Sequence, residues 1–117
     1  MTATPEADFT PWDVDLRLRR HSWTPVQFIF GALNLTGYTA PVFRWGQSIQ
    51  SGDPDGSVTG FLTPGADSTI TVTLDTSFWS SLGFLVGGDF ELALTTPAGQ
   101  PVALAAGRFR VEGSFLP

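Results

Sequence analysis

A period of two runs through this chain and never goes far before it is interrupted. Val14, Leu16 and Leu18 alternate with Asp15, Arg17 and Arg19; Val26, Phe28 and Phe30 repeat the pattern, as do Ile70, Val72 and Leu74, then Phe90, Leu92 and Leu94. Successive side chains of an extended strand point to opposite faces, so each run describes a strand with one face in a core and one in solvent. Between the runs stand turn residues: "RHSWTP" (20–25), "GALNLTG" (31–37), "SGDPDG" (51–56) and "PAGQ" (97–100). The 13 glycines and 9 prolines are spread as punctuation and form no low-complexity tract.

One stretch departs from this period. In "TSFWSSLGFLVGG" (76–88), Phe78, Leu82 and Leu85 are spaced by four and three, which predicts a short helical turn near 76–85 with Thr76 or Ser77 as its cap. "YTAPVFRWGQ" reads as a strand, but Pro41 cannot donate to a ladder, so the strand is at an edge or carries a bulge there. "SVTGFLT" reads as a further strand, and "PVALAAGRFRVEG" as two short strands or one bent one. These runs add up to about seven or eight short antiparallel strands, an all-β, immunoglobulin-like sandwich, with a small closed barrel as the alternative. The expected organisation is an extended N-terminal arm (1–12), one sandwich domain (13–113) and a short C-terminal tail (114–117); 117 residues leave room for one domain.

Composition excludes several chemistries. Without cysteine there is no disulfide, thiolate nucleophile or cysteine-ligated metal. His21, in a turn, is the sole histidine, and no nucleophile-elbow motif accompanies it. Asp53 and Asp55 have calcium-loop spacing but lack the glycine and terminal Glu of that motif. Asp13, Asp15, Asp89 and Glu91 are carboxylates placed at strand edges and outer faces, where solvated charges belong. No cofactor or metal is expected, and a small-molecule ligand is not expected either.

The formal charge is −5 and every cation is Arg. An acidic chain is a poor partner for phosphate backbones, so nucleic acid is not expected. No apolar run approaches the length of a membrane span, and "MTATPEADF" has no basic or apolar leader region, so synthesis in a cytoplasm is expected. The local cluster Arg17, Arg19, Arg20 reads as the solvent face of a strand, with a slight tilt towards contact with a protein partner, which Arg makes better than Lys.

The corner "LNLTGYTAPVFRW" (33–45) has a structural explanation. Asn34 and Thr36 can bond to nearby backbone, Gly37 permits positive φ, and Tyr38 opens the next strand. The same segment resembles the (D/N)LTGY corner, followed by a strand ending in Arg, of small β-sandwich proteins of tailed bacteriophages. These include the N-terminal domains of baseplate upper proteins and related tail-fibre-associated proteins. The order of "VDLRLRRHSWTPVQFIF", "STITVTLD", "TSFWSSLGFL", "GGDFELALTTPAGQPVAL" and "AAGRFRVEG" is similar to that family over about residues 13 to 112. Pro41 and the aromatic loop before "FELAL" depart from its pattern.

The resemblance implies a non-enzymatic structural protein of a virion that docks in a tail, baseplate or fibre assembly; capsid decoration is the nearest variant. Its partners would be other virion proteins, within a symmetric multimer. Two other classes stand beside this reading: a carbohydrate-binding module stacking sugars on exposed Trp, and a small enzyme built on a carboxylate pair. Trp45 and Trp79 are assigned to the core, whereas Trp12 and Trp23, with Arg17, Arg19, Phe115 and Leu116, are the candidate interface residues.

Overall fold

A computed structural model describes residues 12–19, 25–47, 54–82 and 87–112. Among the described residues, nine strands and one helix follow in order: β1 (Trp12–Asp13), β2 (Leu16–Arg19), β3 (Pro25–Ile29), β4 (Thr39–Gly46), β5 (Gly56–Thr59), β6 (Phe61–Thr63), β7 (Thr69–Thr73), α1 (Thr76–Leu82), β8 (Gly87–Thr95) and β9 (Pro101–Glu112). They form two sheets. The larger has the order β1-β9-β8-β4-β5, with β2 also on β9; the smaller has the order β3-β7-β6. The chain passes between the sheets four times, from β2 to β3, at the corner after β3, between β5 and β6, and through α1, which gives the crossing pattern of an immunoglobulin-type sandwich.

The alternation read from sequence is the alternation of burial. Phe28, Phe30, Ile70, Val72, Leu74, Phe90, Leu92 and Leu94 are all core residues. A connected set of rings ties the layers together. Phe28 of the small sheet meets Phe90, Phe90 stacks on Phe43 at 5.3 Å, and Phe43 and Trp45 both meet Phe78 of α1 edge-on. Offset and edge-to-face pairs of this kind add about 0.5–1.5 kcal/mol each beyond the area they bury. Trp45 and Trp79 belong to this core, as expected.

Four details differ from the sequence reading. The strands are not all antiparallel: β1 and β2 run parallel to β9, with Trp12 opposite Ala105 and Leu16 opposite Phe109. The approach there is so close that a Cβ on Gly107 would overlap the Val14 carbonyl oxygen. Trp12 therefore belongs to the sheet edge and not to the preceding arm. "SVTGFLT" is two strands in different sheets, divided at Gly60, whose N–H donates to the Pro41 carbonyl at 2.9 Å.

Of the two options at Pro41, the bulge is the one adopted: the register shifts between Thr39 and Val42, Ala40 has a φ of 56°, and β4 is interior, between β8 and β5. The cap of α1 is Asp75, one residue before the expected ones; its Oδ1 accepts the Phe78 N–H at 3.2 Å. β9 is a single long strand, with its register to β8 broken between Leu92 and Ala93.

Candidate interaction surface

The distinctive corner is held from both inside and outside. Asn34 Oδ1 accepts from the Thr36 N–H at 2.9 Å and from the Thr36 hydroxyl at 2.6 Å, an Asx turn on the exposed side. Gly37, at φ 90°, and the Tyr38 N–H bonded to the Leu35 carbonyl complete the reversal. Leu35 points inward and is 1% exposed.

The corner's second anchor is Ser68, which is fully buried. Its hydroxyl accepts the Leu35 N–H at 2.8 Å and the Gly65 N–H at 3.3 Å, and donates to the Gly65 carbonyl at 3.1 Å. Its backbone also pairs on both sides, with Phe30 and Leu33. Asp67 Oδ1 also accepts the Ala32 N–H at 2.7 Å. The turn before β7 thus holds the corner after β3. Asn34, Thr36, Gly37 and Tyr38 make turn geometry.

The outer faces of the two sheets differ in chemistry. On the large sheet, Arg44 sits opposite Glu91, and Asp89 opposite Arg108, with the latter pair 3.4 Å apart. An ion pair whose arginine is largely exposed, as Arg108 is, contributes about 1 kcal/mol or less.

On the small sheet, the outward residues are Pro25, Gln27 and Ile29 of β3, Thr69, Thr71 and Thr73 of β7, and Phe61 and Thr63 of β6. Gln27, Thr71 and Phe61 form one cross-strand row; Ile29, Thr69 and Thr63 form the next. No charged residue occurs in any of these three strands. Phe61 is 70% and Ile29 62% exposed. These two and Trp12 are the exposed large hydrophobics among the described residues.

Of the candidate interface residues, Arg17 and Arg19 project from the outer side of β2, and Trp12 is 48% exposed with its ring 5.0 Å from Phe30. Trp23, Phe115 and Leu116 lie outside the described residues, as do His21 and Asp53. Of the described candidates, Arg17 and Arg19 lie on the outer face of the large sheet while the Trp12 ring turns to Phe30, and none of the three is on the uncharged face. Phe61 and Ile29 were not singled out from the sequence. The strand reading of β3 implies that Ile29 faces outward, whereas Phe61 becomes visible only once "SVTGFLT" is divided at Gly60. Neither a known protein-family model nor a curated protein matches the sequence.

Proposed function

We propose that this chain is a non-enzymatic structural protein of a bacteriophage virion, docking within the tail, baseplate or fibre assembly, with capsid decoration as the nearest variant. The sequence resemblance of the 33–45 corner supplies the setting. The observation that carries the docking role is the uncharged outer face of β3-β7-β6. A chain with formal charge −5 keeps every charge off three adjacent strands and leaves Phe61 and Ile29 in solvent there. Interface centres are depleted of charge and enriched in aromatic residues, and a neighbouring protein subunit of similarly uncharged, apolar chemistry would cover such a face without stranding an ion.

The carbohydrate-binding alternative would use Trp12, Trp23 or Tyr38; of these Trp23 lies outside the described residues, Tyr38 packs against the core, and Trp12 is the exposed one among the described residues. One side of the Trp12 ring is turned towards Phe30, which leaves less of it for a sugar.

The test is incorporation. An Ile29→Asp, Phe61→Asp variant, whose outward substitutions leave the core untouched, is expected to fold with a melting temperature near that of the parent and to be lost from purified particles. Incorporation at the parental level would remove this face from the account. Saturable glycan binding that disappears in Trp12→Ala would favour the carbohydrate reading instead.

A further inference from the structure

The parallel pairing of β2 on β9 brings together two arginine groups far apart in sequence. Arg17 is opposite Arg110, and Arg110 is in turn opposite Gly87 of β8. The neighbouring rows each hold an acid. Arg108 has Asp89 on one side at 3.4 Å, and the common offset of the pairs Asp13–Ala106 and Leu16–Phe109, on either side of the break between β1 and β2, puts Asp15 level with it on the other. Arg19 has Glu112 opposite it, and Arg44 has Glu91, whose row continues through Ala106 to Asp13. Among the described residues, the row Arg17–Arg110–Gly87 is the one with two arginines and no acid.

Like charges directly opposite one another destabilise a sheet, and this chain has 11 carboxylates from which a neighbour could have come. Gly87 keeps the row open: a Cβ there would come within 2.6 Å of the Phe109 carbonyl oxygen, so no side chain screens the pair from β8. Both arginines are exposed, and neither makes an ion pair among the described residues. Arg20 follows β2 directly, so five of the six cations lie on or next to β2 and β9.

We propose that the Arg17–Arg110 row is a docking site for a carboxylate-bearing segment of a partner protein. Two guanidinium forks side by side can each offer paired N–H donors to a planar carboxylate, which a single Lys ammonium cannot do. A segment with one or two clustered carboxylates suits the site better than a continuous run of anions such as a nucleic-acid strand, because the rows on either side present Asp89, Asp15 and Glu112 to any extended polyanion. The inference stands on this edge alone and does not depend on the virion reading or on the uncharged face.

The experiment is fluorescence anisotropy of the full chain with two probes at low salt, a labelled ten-residue glycine-serine peptide with two adjacent central glutamates and a labelled ten-residue single-stranded oligothymidylate. The glutamate peptide is expected to bind more tightly than the oligonucleotide. In Arg17→Gln, Arg110→Gln its affinity is expected to fall about tenfold, from two charge-assisted contacts of ordinary exposed strength. Arg44→Gln, on a row that holds acids, is expected to stay within about twofold, and Arg17→Lys, Arg110→Lys to recover only part of the loss. Absence of glutamate-peptide binding, equal losses in the Arg17/Arg110 and Arg44 variants, or tighter binding of the oligonucleotide would each overturn the proposal. A loss that tracks a lower melting temperature in the glutamine variant, with full affinity in the lysine variant, would assign the pair to general charge alone and overturn the forked-contact site.

Discussion

Replacing Ser68 by Ala removes one oxygen and no apolar contact, so its effect isolates the polar anchor of the corner. The Leu35 N–H would lose its acceptor in a place sealed from water, since Ser68 is 0% and Leu35 1% exposed. A buried donor left unsatisfied costs about 1–3 kcal/mol, whereas the two weaker bonds to Gly65 lie where water can partly replace them. A central value of about 2 kcal/mol is therefore expected. With an unfolding entropy of about 2.1 cal/mol/K per residue over 117 residues, each kcal/mol shifts the melting temperature by about 4 °C. Ser68→Ala should then melt about 8 °C lower by differential scanning calorimetry. Asn34→Ala removes the exposed half of the same corner, where water can take over, and should cost about 0.5 kcal/mol, or about 2 °C. A Ser68→Ala shift within about 2 °C of the parent, or a larger shift for Asn34→Ala, would refute the claim that the corner is anchored from inside.

Three further outcomes follow from the geometry. Gly107→Ala should push β1 and β2 off β9, because the new methyl would fall on the Val14 carbonyl; hydrogen exchange should show lost protection at the Val14 amide, which bonds to the Ala106 carbonyl, while β8 stays protected. Ala40→Gly should raise stability by about 0.5–1 kcal/mol, seen as a higher denaturant midpoint, since Ala40 sits at φ 56° in the bulge. Arg108→Ala breaks an ion pair whose arginine is largely exposed and should change the melting temperature by no more than about 4 °C.

Which parts of the molecule could be read from the chain depended on whether the cause was local. The inward faces of β3, β7 and β8 follow from side-chain alternation, and α1 from a local change of period, so all four could be read directly. The Asx turn at Asn34 and Thr36 is equally local. What could not be read depends on residues far apart in sequence. Ser68 looks like the exposed start of "STITVTLD", and only the docking of its turn on the Leu33–Leu35 corner buries it. The parallel direction of β2 on β9 joins residues separated by most of the chain, so nothing near Arg17 announces Arg110. Gly60 looks like one residue inside a strand until the Pro41 carbonyl and Ile70 are seen beside it, where the chain changes sheets. The uncharged face spans three strands from two regions of the sequence, and its lack of charge emerges only when they are laid side by side.

Quantitative mass spectrometry of purified virus particles from the source decides whether this sandwich is, as proposed, a building part of the particle. If it is, the chain is present at a fixed ratio to the major capsid protein: a low ratio for a tail, baseplate or fibre position, and a ratio near unity for capsid decoration. Absence of the chain from intact particles, with the protein present in the infected cell, would contradict it.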